Sequence, residues 1–257
     1  MRILLTNDDG IFAEGLQTLA QEIKKIAETY IAAPDHEQSA TGHAITMHRP
    51  LRAEKVKYRH SPELAAWSVN GTPADCVKLA VEALLPQKPD LVISGINRGA
   101  NLGTDVLYSG TVSAAIEGVI LGIPAIAVSL AEYHNPQYDY AAAFIAYLAP
   151  IFAKQAKKEM LLNVNVPGCP AEQIKGVSIN RLGVRHYKNP FEERTDPRGR
   201  TYYWLAGEIV DIKEEKDTDV AAIKEDKISI TPIQYDLTDY AMLESVRKWR
   251  IDLQGGG

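Results

Sequence analysis

Cysteine is scarce: the 257 residues hold only Cys76 and Cys169, neither with a second Cys or a His at zinc-ligand spacing. A structural zinc is left without support, and both thiols read as packed, inert side chains. Long apolar runs are missing too. None approaches the roughly 20 residues that span a bilayer, and Met1-Arg2-Ile3-Leu4-Leu5 reaches Asp8 too soon for a signal peptide. The expected location is the cytoplasm, with no membrane partner. Positive charge is also in short supply: 28 Lys and Arg face 33 Asp and Glu, a net charge of −5. That balance speaks against a stable nucleic-acid complex. Neither GxxxxGK[ST] nor GxGxxG occurs, so P-loop hydrolysis and dinucleotide binding have no motif to rest on.

What is present is the composition of a soluble globular chain, 46% hydrophobic and 24% charged, long enough to bury a sizeable core. Ile3-Leu4-Leu5 is a continuous apolar run ending at Asn7-Asp8-Asp9-Gly10, a buried strand and a turn. Leu16, Leu19, Ile23 and Ile26 then recur at helical spacing. Tyr30 to Ala33 is a second strand, opening after Pro34 into a polar loop through Ser39 and His43, and Trp67 to Val69 a third. Thr72-Pro73-Ala74-Asp75 starts a helix, with Thr72 as N-cap and Asp75 completing a capping-box-like pattern. Leu91-Val92-Ile93 is a strand ending at Ser94-Gly95-Ile96-Asn97, and a helix capped by Ser109 begins near Thr111 and stops before Gly122 and Pro124. Ile126 to Val128 is the next strand. Apolar strands alternating with helices imply a parallel sheet covered on both faces, an α/β fold.

Past about residue 130 the character changes. After a helix around Tyr140 to Ala149, strand-like runs dominate: Leu162–Val166, Val177–Ile179, Thr201–Trp204 and Ile228–Thr231. The charged stretch Arg185 to Arg200 closes in the turn signal Asp196-Pro197-Arg198-Gly199. Asp211 to Asp219 reads as a solvated loop, and Gly255 to Gly257 as a frayed end. A final amphipathic segment puts Leu243, Val246 and Trp249 on one side. The division is a core over residues 1–130 and, across a soft boundary, a β-rich extension with a terminal helix over 131–257.

In open α/β sheets ligands bind beyond the carboxyl ends of the strands. Asp8 and Asp9, Ser39, and Asn97 all lie there, and all offer oxygen, which suits Mg²⁺ or Mn²⁺ better than zinc. Taken singly, Asp8-Asp9-Gly10 is equally a turn, Ser39 a loop hydroxyl and Asn97 a cap. Their shared placement is what argues for a site. Ser109-Gly110-Thr111 at a helix start suits a phosphate, and equally a plain N-cap.

The ordered set of segments resembles the SurE family of survival-protein nucleotidases. It comprises Met1–Gly10, Gly71–Val77, Val92–Asn97, Asn101–Gly103, Tyr108–Val112, Asn163–Pro167, Asp196–Arg200, Asp217–Asp219 and Ser229–Pro232, which together cover nearly the whole chain. The resemblance implies a Rossmann-like domain with a C-terminal extension that dimerises by exchanging its tail, as a homodimer or homotetramer. It implies hydrolysis of nucleoside 5′- and 3′-monophosphates, and of short polyphosphate, with one divalent metal ion per subunit, Mg²⁺ or Mn²⁺. The implied metal ligands fall on Asp8, Asp9, Ser39 and Asn97, and the phosphate-side residues on Asn101, Ser109, Gly110 and Thr111. Asp8 and Asp9 are both candidates for the general base, and His43 is a candidate proton donor. Asp226-Lys227 departs from a frequent Gly-Tyr, which bears on a local hairpin turn, and Ala40-Thr41-Gly42-His43 is a variant of the loop after Ser39.

Three rivals are weaker. A haloacid-dehalogenase-type phosphatase needs two Asp separated by one residue, and Gly10 stands two after Asp8. A receiver-type signalling module needs a phosphoacceptor Asp where Asn97 stands. A nucleotide-binding protein without catalysis would release no phosphate.

Overall fold

The computed structural model describes residues 1–58, 61–189, 191–210, 215–249 and 251. Gly255–Gly257 and the Asp211 end of the acidic stretch lie outside the described residues. The described residues form thirteen strands and six α-helices: β1 (Arg2–Thr6), α1 (Glu14–Ile23), β2 (Glu28–Pro34), β3 (Ala53–Tyr58), β4 (Ser61–Val69), α2 (Pro73–Leu79), β5 (Leu91–Arg98), α3 (Gly110–Ile120), β6 (Ala125–Ala131), α4 (Asp139–Gln155), β7 (Leu161–Pro167), β8 (Val177–Ile179), β9 (His186–Lys188), β10 (Phe191–Thr195), β11 (Thr201–Leu205), β12 (Glu208–Val210), α5 (Asp219–Lys224), β13 (Ile228–Ile233) and α6 (Tyr240–Arg247).

Nine strands form one sheet in the order β3-β4-β2-β1-β5-β6-β7-β13-β8. The six from β4 to β7 run parallel, while β3 on β4 and β13 on β7 are antiparallel. From β1 the chain first builds outward through β2 and β4, then crosses to β5 and builds the other way. The gap between β1 and β5 is therefore the point where the strand order reverses.

The apolar runs are continuous because both faces are covered. Ile3, Leu5 and Ile93 pack on the side of α1 and α4, with Leu16, Leu19, Ile145 and Phe152. Leu4 and Val92 point the other way, to Val77 of α2 and to Val112, Ala115 and Val119 of α3. Each fully buried side chain of this kind contributes about 1.5–3 kcal/mol. Among the described residues no helix is long and apolar enough to cross a membrane.

The capping signals hold in detail. The Thr72 hydroxyl accepts from Asp75 N, and the Asp75 carboxylate accepts from Thr72 N, a complete capping box. Ser109 Oγ accepts from Val112 N at the start of α3.

Four expectations need correction. Helix α1 stops at Ile23 and Ile26 is 42% exposed, so the fourth apolar repeat lies past the helix end. Helix α4 runs on through Pro150 to Gln155. Pro150 is exposed, on the side where water can replace the bond its nitrogen cannot donate. Asp226 turns α5 into β13 rather than joining a hairpin, and it takes the left-handed φ of 55° that favours glycine. Asp219 is not solvated: it is fully buried, with Oδ2 accepting from Gly103 N and Oδ1 from Gly183 N and Val220 N, each at 2.8 Å.

Beyond residue 130 the chain splits its contribution. Strands β7, β13 and β8 complete the main sheet, whereas β10–β11 and β9–β12 form two separate antiparallel pairs. The hairpin turn at Asp196 is as the sequence indicates, with Asp196 Oδ1 accepting from Arg198 N and Arg200 N.

Candidate active site

Strand β1 ends at Thr6, and the chain then turns so tightly that Asn7 bonds Gly10 in both directions. This turn presents Asp8 and Asp9 beyond the carboxyl edge of the sheet. Neighbouring β5 ends with a register slip between Ser94 and Asn97, an irregularity that re-aims side chains. Asp8, Asp9, Ser39 and Asn97 line one cavity of about 1260 Å³, together with Asn101 and Ser109. It lies at the reversal point between β1 and β5, where ligands of open α/β sheets bind.

Asp8 is 4% exposed. The Thr111 hydroxyl donates to its Oδ1, and the start of α3 comes so close that a Cβ on Gly110 would stand 2.7 Å from Asp8 Cβ. Only glycine lets the helix N-terminus approach this carboxylate. Gly110 and Thr111 thus stand behind Asp8, while Asn101 and Ser109 reach the cavity wall. Asp9 Oδ2 accepts from Arg98 N at 3.2 Å. Among the described residues neither aspartate forms an ion pair. Burial pushes both carboxyls up, that of Asp9 to about 7, where the Asp8 charge adds to the push.

Asn97 Nδ2 donates to Gly99 O at 2.8 Å, which points the amide nitrogen inward to its own turn and leaves the oxygen unclaimed among the described residues. Ser39 Oγ donates to Glu37 Oε1 at 2.7 Å. Glu37 also lines the cavity and adds negative charge beside both aspartates; sequence spacing gave no sign of it. Asn101 is fixed by β7, whose Asn163 and Asn165 amides both donate to its carbonyl while Asn165 Oδ1 accepts from its N–H.

Two carboxylates, an amide oxygen and a hydroxyl suit a hard divalent cation. Among the described residues no group of three or more His, Cys, Asp or Glu could hold one, so the two aspartates would need further oxygen donors, of which Asn97 and Ser39 line the same cavity. The fit also has an electrostatic side: two crowded, buried carboxylates beside Glu37, with the Arg98 charge the smallest influence on Asp9, favour whatever brings further positive charge.

His43 lies elsewhere. Its Nε2 is 2.9 Å from Oε2 of Glu117, a buried residue of α3 that also pairs with Lys78 at 3.0 Å. Burial opposes the Glu117 charge, but the bonds from His43 and Lys78 outweigh it and hold the carboxyl below its usual range. The same loop is tied down by Gly42 N to Tyr108 O and by Thr72 Oγ1 to Ala44 O. These contacts anchor the segment that follows Ser39.

Known proteins resemble the chain in sequence and in fold. The family model described as Survival protein SurE matches residues 3–189. The chain belongs to the SurE family. It is 55% identical to a protein named 5′-nucleotidase SurE from Natranaerobius thermophilus, over 98% of this chain and 100% of the relative. Identity to the protein of that name from Pelotomaculum thermopropionicum is 58%, over 96% of this chain and 95% of the relative. The crystal structure of the SurE protein from Aquifex aeolicus superposes with a TM-score of 0.85 at 38% identity, covering 96% of this chain and 99% of that one. SurE membership accounts for the α/β sheet with its small C-terminal strand pairs and terminal helix.

Proposed function

We propose that the chain is a divalent-metal-dependent phosphatase that hydrolyses nucleoside 5′-monophosphates to nucleoside and phosphate. The reading extends to 3′-monophosphates and short polyphosphate. The observation that carries it is the meeting of Asp8, Asp9, Ser39 and Asn97 in one cavity at the reversal point of the sheet. The names of the SurE relatives support the same substrate class.

In this reading Asp8, Asp9, Ser39 and Asn97 hold one Mg²⁺ or Mn²⁺ ion. When bound, such a cation supplies Lewis acidity and lowers the pKa of water. Thr111 and Gly110 act through Asp8: the hydroxyl fixes one carboxylate oxygen, and the helix N-terminus favours its negative charge. Asn101 and Ser109, on the cavity wall, contact the phosphate. Asp9 is the better-placed general base, being less buried than Asp8 and held by a single backbone N–H.

The test is phosphate release from nucleoside 5′- and 3′-monophosphates and short polyphosphate, with chelator and with added Mn²⁺ or Mg²⁺. Release from 5′-monophosphates, abolished by chelator and restored by metal, is the expected result. Full activity after exhaustive chelation, or none on any nucleotide, would overturn it.

A further inference from the structure

The cavity is larger than a phosphate and its cation require, since pockets for whole drug-sized ligands run to roughly 300–1,000 Å³. Its wall also changes character. Away from the aspartates it includes, beside Arg98, Asp105, Pro136 and the buried Tyr138, three further tyrosines, Tyr108, Tyr133 and Tyr187, which remain 67%, 59% and 45% exposed. Single exposed aromatics are ordinary, but three around one cavity give it an aromatic rim.

Tyr133 is the most firmly placed of the three. Its ring lies against the α-carbon of Gly99, where a Cβ would stand 2.1 Å from the ring's Cζ. Its carbonyl accepts from Arg98 Nε at 2.7 Å, and the backbone N–H of the same Arg98 donates to Asp9 Oδ2. One short segment, Asn97 to Gly99, therefore positions a candidate ligand, an aspartate and an aromatic ring together. Tyr187 is held by its hydroxyl, which donates to Asp105 Oδ2 at 2.7 Å, and Asp105 is itself paired with Arg185 at 2.9 Å. Tyr108 directly precedes Ser109, and its carbonyl accepts from Gly42 N.

We propose that this rim is a nucleobase-stacking subsite with Tyr133 as its platform, an assignment that rests on the nucleotide-phosphatase reading. A ring already fixed by the backbone loses little freedom when a base settles on it. Every base has a π-face, so stacking accepts them all and ranks them by area, purines ahead of pyrimidines.

The experiment compares adenosine 5′-monophosphate with ribose 5-phosphate, which keeps the phosphoester and lacks the base. The full-length protein with Mn²⁺ is assayed as wild type, Tyr133→Ala, Tyr133→Leu and Tyr133→Phe, after a melt shows each to be folded. For Ala and Leu, the ratio of kcat/KM for the nucleotide to that for the sugar phosphate falls roughly 5- to 100-fold, mainly through KM, and Phe restores it. An unchanged ratio in Tyr133→Ala overturns the subsite, as does full rescue by Leu. Should the wild type hydrolyse neither substrate, the phosphatase reading fails, and equilibrium binding of adenosine decides the subsite. Binding lost in Tyr133→Ala and regained in Tyr133→Phe supports it; equal binding by all four proteins overturns it.

Discussion

Strands β1 and β11 are each five residues long and rich in large side chains, yet four residues of β1 are buried and none of β11 is. The difference lies in what surrounds them. Strand β1 has β2 and β5 on its edges and helices on both faces. Among the described residues strand β11 pairs only with β10, leaving Tyr203, Trp204 and Leu205 at 57% exposure or more. A two-stranded hairpin alone is marginal in water. Helix α6 is in the same position: it has no buried residue, Leu243 and Val246 are exposed on it, and Trp249, past its end, is exposed too. An apolar sequence makes a core only where the topology brings a second layer to it.

The sharpest contrast is expected in activity. Asp8→Asn, at the end of the buried strand, should lower phosphate release by more than the roughly 10- to 100-fold seen when a metal ligand's hydrogen-bonding partners are removed. Its circular dichroism should stay that of the wild type. Activity within twofold of wild type would remove Asp8 from the site.

The uncovered region should respond in assembly instead. Deleting Thr238 to Gly257 is expected to weaken self-association at least about tenfold, or about 1.4 kcal/mol, while the melt of the main sheet is unchanged. Light scattering across a dilution series measures this, and an unaltered oligomer would show that α6 packs on nothing outside its own chain.

Gly110→Ala tests how closely the covered region is built. The added Cβ must displace Asp8, and a destabilisation of about 1–3 kcal/mol is expected, with activity lost beyond what the melt explains. Asp75→Asn is the control inside the same region. It weakens a capping box at a cost of about 1 kcal/mol and should leave any stabilisation by Mn²⁺ intact.

The smallest effect concerns pH. The Asp9 carboxyl is raised from 3.8 to about 7 in the fold, so the protonated form is the one that folding favours. Its contribution is complete below the unfolded value and is lost as pH rises through about 7. Metal-free protein should therefore lose stability between pH 4 and pH 8 through this group. Asp9→Asn should remove that loss, melt higher than wild type at pH 8, and gain less from Mn²⁺. An identical pH profile in the variant would show that Asp9 carries no such strain.

Much of this was legible without coordinates. The Thr72–Asp75 box and the Ser109 cap join residues three apart, so spacing alone predicts them. The apolar runs of β1, β2, β5 and β6 announce strands buried on both faces, and oxygen donors beyond them mark the edge where ligands bind. Local rules determine such features because their partners are neighbours in the chain.

Only the tertiary structure decided the rest. Thr111 turns its hydroxyl to Asp8 across 103 positions, and Asp219 gathers N–H donors from 116 and 36 positions away. His43 goes to Glu117, 74 residues on, instead of to the cavity. A buried carboxylate and a solvated one look alike in sequence, because what separates them is whether distant backbone donors replace water. The tyrosine rim and the uncovered β10–β11 pair are of the same kind. Their exposure depends on which strand lies beside which, and that order is fixed by packing over the whole sheet.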